Sequence, residues 1–163
     1  DLLLGNEKDD GHSLYYYKTF KPALRQQLSK YLNGRGKLFV SGSYLASDMQ
    51  GVDEQEWLRN NLKITFNGAN YDNYNSIVSG MGMSFDVYRT INEEHYGAYT
   101  PDNILPVDNA FSTLTYADGQ TAAVAYKGTD NSVFTLSFPF ECIKDAPTRN
   151  SIMKGIVNFL MKK

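Results

Sequence analysis

Two side chains stand where the apolar pattern of the sequence breaks, and both can do chemistry. Ser43 lies in Gly42-Ser43-Tyr44, directly after Leu38-Phe39-Val40, so a hydroxyl is presented where a buried strand should end. Glu141 follows Phe138-Pro139-Phe140 at the end of a second apolar run, Ser132 to Phe138, so a carboxylate is delivered in the same way. Carboxyl ends of strands are where α/β sheets place their sites. A serine nucleophile needs a base, and His12 and His95 are the only histidines. Both stand in charged loop sequence, Asp9-Asp10-Gly11-His12 and Glu93-Glu94-His95, which lacks the ligand spacing of a metal site. No metal and no cofactor is expected. The Gly-x-Ser-x-Gly pattern is also absent, since Ser41 and Leu45 occupy its glycine positions.

Binding chemistry comes from tyrosine, present 12 times in 163 residues. Tyr44, Tyr71, Tyr74, Tyr96 and Tyr99, with the run Tyr15-Tyr16-Tyr17, fall in or near loops, where flat amphipathic rings can stack on a sugar or a partner or else fill the loop cores. A formal net charge of −2 provides no basic stripe, so neither nucleic acid nor an anionic membrane surface is an expected partner. No apolar run approaches the roughly 20 residues of a membrane span. Cys142 is the sole cysteine, which rules out an internal disulfide and leaves the compartment unread.

These residues need a scaffold, and the periodicity supplies one. Asp1 to Gly5 reads as a short strand, and because it begins at once the chain is expected to be a single domain, 1–163, cut from a longer protein. Pro22 opens a helix with Leu24, Leu28, Tyr31 and Leu32 on one face, and Asn33-Gly34 stops it. Strand Lys37 to Val40 follows, in the order of a parallel crossover. Asp53 and Glu56 have capping-box spacing before a short helix through Trp57, which is assigned to the core. Lys63 to Phe66 reads as a strand, Asn67 to Asn75 as a loop, and Ser76 to Arg89 as strands broken at Gly80-Met81-Gly82. Thr90 to Asn109 is irregular, with Pro101 and Pro106 excluding a central strand. Phe111 to Tyr116, Gln120 to Tyr126 and the run 132–138 form an antiparallel meander, and Pro147 opens a final helix striped with Ile152, Ile156 and Leu160.

This order of parts resembles the class I glutamine amidotransferase-like fold. The resemblance implies an α/β architecture, a three-layer flavodoxin-like mixed sheet with helices on both faces and an antiparallel excursion. That family places a nucleophilic Cys at the elbow and a Phe-His-Pro-Glu motif after the late strand. Here Ser43 stands at the elbow and Phe138-Pro139-Phe140-Glu141 at the strand, so Pro139 replaces the histidine and no thiol is nearby. Lys37 to Tyr44, Ser137 to Glu141 and Arg149 to Leu160 further resemble a domain of secreted xanthan-lyase-like proteins of gut bacteria.

The resemblance implies a non-catalytic or degenerate domain of a polysaccharide-associated protein, secreted, periplasmic or at the cell surface. Its partners would be polysaccharide or other domains of the same chain. The alternative is a hydrolase or lyase using Ser43 with Glu141. In the non-catalytic reading Glu141 sits beside the elbow and holds it by hydrogen bonds, because a carboxylate behind a buried strand needs donors.

Overall fold

The structure, a computed structural model, describes residues 2–3, 18–72, 75–90, 95 and 97–162. A seven-stranded mixed sheet runs in the order β1-β2-β9-β8-β7-β4-β5, and a two-stranded sheet, β3-β6, packs beside it without hydrogen-bonding into it. The strands are β1 (Leu2–Leu3), β2 (Lys37–Ser41), β3 (Ile64–Ala69), β4 (Ile77–Gly80), β5 (Met83–Asp86), β6 (Asp102–Pro106), β7 (Phe111–Tyr116), β8 (Thr121–Lys127) and β9 (Ser132–Leu136). Helices are α1 (Pro22–Asn33), α2 (Val52–Trp57) and α3 (Ala146–Met161).

Among the described residues only β1 with β2 and β2 with β9 pair in parallel, while β9-β8-β7-β4-β5 is antiparallel throughout. Turn length decides this. Short connections at Met81–Gly82 and Ala117–Gln120 can join only antiparallel neighbours, whereas α1 gives the chain the length to cross over between β1 and β2. The flavodoxin-like expectation is corrected on this ground, because that fold is built on a parallel doubly wound sheet. What stands is an α/β chain with a mixed sheet and helices. At the β4–β5 turn Gly80 has φ 144°, and a Cβ there would lie 2.1 Å from the carbonyl oxygen of Thr113, so only glycine allows β4 to approach β7 this closely.

Alternation along β2 and β9 divides the core in two. Phe39, Phe134 and Leu136 pack with Ile152, Ile156 and Leu160 of α3. Leu38, Val40 and Val133 pack on the other side with Leu28 and Leu32 of α1 and with Leu58, Leu62, Ile64 and Ile104. Trp57 is half-buried between helices; its Nε1 donates to Ser29 Oγ at 2.9 Å, and its ring meets Phe20 at 5.0 Å.

Other expectations shift by a few residues. The cap of α2 is Gly51, whose N–H donates to Glu54 Oε2 at 3.1 Å, in place of Asp53 with Glu56. After Trp57 the chain widens into a π-helical turn, Leu58–Leu62, ended by Lys63 at φ 58°. The stretch after Thr90 contains a strand, β6, which lies in the two-stranded sheet and so still respects the exclusion of proline from a central strand. The α3 cap is Asp145, which accepts Thr148 N–H at 2.9 Å, with Pro147 in the first turn.

Candidate functional site

Parallel pairing sets the C-terminal ends of β2 and β9 side by side, with Ser41 opposite Leu136 and Gly42 N–H donating to Leu136 O at 3.2 Å. Beyond this point the chain does not enter a helix. It turns from Ser43 to Asp48, and α2 begins only at Val52. The carboxylate that holds the turn is Asp102, at the start of β6. Its Oδ2 accepts Ala46 N–H at 2.7 Å and Ser47 N–H at 2.9 Å, and its own N–H donates to Ser43 O at 2.8 Å. One fully buried residue thereby ties three backbone positions of the elbow.

Ser43 is 1% exposed, and its Oγ has no hydrogen-bond partner among the described residues. A buried hydroxyl with no base bonded to it is not an activated nucleophile. Glu141 lies in a single 3-10 turn, Phe140–Cys142, and is half-buried, with Oε2 enclosed and unbonded among the described residues. No hydrogen bond joins it to the elbow among the described residues, so the holding role expected of it is carried by Asp102. Next to it the buried Cys142 thiol is pushed up to about 12, by desolvation first and then by the Glu141 charge, which leaves it protonated and inert.

Behind the elbow is a buried polar network. Arg89, 5% exposed, donates from Nη2 to Asn70 Oδ1 at 2.8 Å, and Asn70 Nδ2 donates to Asn103 Oδ1 at 3.1 Å and Asp118 Oδ2 at 2.9 Å. The guanidinium lies 5.6 Å from the centre of the Tyr116 ring. Desolvation holds Arg89 below its ordinary range, and desolvation raises the Tyr116 phenol. Tyr116 Oη lies 2.9 Å from Ser137 Oγ and donates to Asp102 O at 3.4 Å, linking the end of β9 to the elbow's anchor.

Over the elbow opens a cleft of about 380 Å³ lined by Tyr44, Ser47, Phe66, Tyr71 and Thr100, with the buried Asp102 among them. Tyr44 Oη lies 3.2 Å from Thr100 Oγ1, and Tyr71 is 76% exposed. Tyr99, beside Thr100, is also exposed. The structure thus brings Tyr44 and Tyr71 together. Tyr74, Tyr96, the run Tyr15 to Tyr17 and His12 lie outside the described residues. His95 stacks on Tyr88 with ring centres 3.5 Å apart. Among the described residues no group of three metal-ligating side chains converges, and no helix is long and apolar enough to cross a membrane. Asp102, Phe66 and Thr100 were not singled out from the sequence. The one signal for two of them was their place in the long, irregular stretch between Thr90 and Asn109, where site residues concentrate.

Chemically the cleft suits a sugar ring: aromatic faces, hydroxyls and one carboxylate. That carboxylate, Asp102, is the only acid in its lining among the described residues. Glycoside hydrolysis ordinarily needs two carboxyl groups flanking the scissile bond.

No family model matches the chain, and no curated protein matches it. Solved structures do. An exo-β-1,4-mannosidase from Opitutaceae bacterium strain TAV5 matches with a TM-score of 0.58 at 9% identity, over 87% of this chain and 24% of that one. A β-galactosidase from Bacillus circulans sp. alkalophilus matches with a TM-score of 0.58 at 14% identity, over 84% of this chain and 20% of that one. A β-galactosidase from the Antarctic haloarchaeon Halorubrum lacusprofundi gives 0.57 at 14% identity, over 85% and 20%. The chain spans about a fifth to a quarter of the solved chains it matches. At these identities the likeness is one of fold. It overturns the recognition of the chain as a class I amidotransferase-like or xanthan-lyase-like domain, because the folds it shares belong to glycosidases.

Proposed function

We propose that this chain is a non-catalytic, carbohydrate-associated domain of a larger glycoside-processing protein. Tyr44 and Tyr71, with the exposed Tyr99 beside Thr100, form the sugar-contacting rim of the cleft over the elbow; Tyr74 and Tyr96, expected from the sequence to serve the same contacts, lie outside the described residues. The observation that carries the reading is the commitment of Asp102, the one carboxylate lining the cleft among the described residues, to two backbone N–H groups. That the matching structures are a mannosidase and β-galactosidases supports a carbohydrate setting. Polymeric carbohydrate is met outside the cytoplasm, so a secreted, periplasmic or surface location belongs to the same proposal.

The test pairs an activity assay with a titration. The chain should release no chromophore from aryl β-galactosides or β-mannosides, and neutral β-1,4-linked oligosaccharides should bind weakly, with the signal lost in Tyr71→Ala. Hydrolysis abolished by Ser43→Ala or Glu141→Ala would overturn the reading in favour of the hydrolase or lyase. Binding that is absent at millimolar ligand, or indifferent to Tyr71→Ala, would leave only a packing role against neighbouring domains.

A further inference from the structure

A net charge of −2 hides a local excess of cations at the end of the sheet opposite the cleft. The α1–β2 turn brings Arg35 and Lys37, the end of β8 brings Lys127, and the residue after α3 brings Lys162, around a concavity of about 790 Å³. Asp130 is the only carboxylate in its lining among the described residues.

Part of this charge is accounted for by the fold. Lys127 Nζ donates to Phe159 O at 3.2 Å and to Lys162 O, where the carbonyls at the C-terminal end of α3 carry negative partial charge. Arg35 Nε lies 3.4 Å from Asp130 Oδ1, with both side chains more than half exposed, an arrangement of little energetic weight. Lys37 and Lys162 have no carboxylate within ion-pair distance among the described residues. The crowding is felt, since Lys127 is held below its ordinary range by desolvation first and then by Lys37 and Lys162.

The frame is rigid. Tyr31 Oη donates to Lys37 O at 3.0 Å and accepts Lys37 N–H at 3.1 Å. A Cβ on Gly36 would lie 2.5 Å from the Tyr31 ring, so the turn closes this tightly only with glycine. Arg35 is held at φ 71°, an uncommon conformation for a side-chain-bearing residue. Asn131 Nδ2 donates to Leu32 O at 3.3 Å, fastening the β8–β9 turn to the end of α1. Cations set on two turns joined in this way need little reorganisation to meet a ligand.

We propose that this concavity binds an acidic glycan segment, one whose sugar rings carry uronate carboxylates or sulfate esters. Its volume lies in the range of sites for molecules of several rings, about 300 to 1,000 Å³, and exceeds what one inorganic oxyanion fills. The identity of the ligand as a glycan rests on the carbohydrate reading above; its charge rests on the cations alone.

Isothermal titration of the chain with an oligogalacturonate hexasaccharide and with a sulfated oligosaccharide of equal length separates the two anionic groups. Binding should weaken steeply as salt rises from about 0.01 to 0.15 M, over which the screening length falls from about 30 to about 8 Å. The double variant Lys37→Gln/Lys162→Gln should lose about tenfold in affinity for whichever acidic sugar binds, with its melting curve unchanged. Tyr71→Ala should leave that affinity intact. Retained acidic binding alongside silent neutral sugars supports this site and sinks the tyrosine cleft. No heat at low salt, equal affinity in the double variant, or tighter binding of single-stranded DNA than of either glycan would overturn the proposal.

Discussion

At the C-terminal ends of β2 and β9 a buried network of polar groups centred on Asp102 and Arg89 bonds internally; at the N-terminal ends Arg35 and Asp130 turn outward into water. Asp102, Tyr116, Ser137, Asn70 and Arg89 are all buried, and each has partners at fixed distances. Arg35 and Asp130 at the other end are exposed and meet only at 3.4 Å. Desolvation explains why the ends behave differently. A polar group removed from water loses stability unless it finds a specific partner, so the bonds of the inner network are the ones whose removal costs most. A hydrated cation needs none, and is therefore available to a ligand.

Asp102→Ala should cut most deeply into this contrast, because it leaves two buried N–H groups without an acceptor. Urea unfolding should show a loss of about 2 to 5 kcal/mol, with Asp102→Asn, which keeps one acceptor oxygen, losing clearly less. A smaller effect follows for Tyr116→Phe. It removes the hydroxyl between Ser137 and the Asp102 carbonyl, and should lower stability by about 1 to 2 kcal/mol in the same measurement.

Acid should act more weakly. The Lys18 hydrogen bond, at 2.7 Å, holds the Glu54 carboxyl below its ordinary 4.5, and Asp108 and Asp145 are likewise held low, by Lys63 and by Thr148, through its side chain first and then its N–H. These carboxylates stabilise the fold fully above the unfolded range, and the contribution is lost as pH falls through the lower folded values. The urea midpoint should thus fall between about pH 5 and about pH 3. Lys18→Met should flatten that slope by only about 0.5 kcal/mol, since the pair is partly open to solvent. Smallest of all, Glu141→Ala and Arg35→Gln should each stay within about 0.5 kcal/mol of the parent. A large loss in Glu141→Ala would show that the inner end has a second anchor, and a large loss in Arg35→Gln would erase the distinction between the ends.

Periodicity made the frame legible. The proline start and glycine stop of α1, the meander of β7, β8 and β9, and the stripe of α3 each follow from local propensity and one buried face. Two features were hidden for physical reasons. Asp102 pairs with the elbow across more than fifty positions, and nothing in the sequence near Pro101 encodes which of the chain's carboxylates will meet Ala46 and Ser47. Glu141 looked equivalent from its place after a strand, but proximity in pattern does not specify hydrogen-bond geometry. The cationic concavity was hidden by averaging, since a formal charge of −2 is a sum over surfaces that face different ways.

The parallel pairing of β2 with β9 has a consequence for synthesis. Lys37 and Ser132 are partners in register 95 positions apart, so Leu38-Phe39-Val40 leaves the ribosome long before the strand that will cover its second edge exists. At about 5 to 20 residues per second, that edge waits roughly 5 to 20 seconds. Until β9 arrives, the nascent chain exposes an apolar, open-edged strand of the kind that recruits holdases or pairs wrongly with a neighbour on the same polysome. Slower translation between the codons for β3 and β8 should therefore lower soluble yield in the cell, whereas the purified chain diluted from urea, with both strands present from the outset, has no such interval.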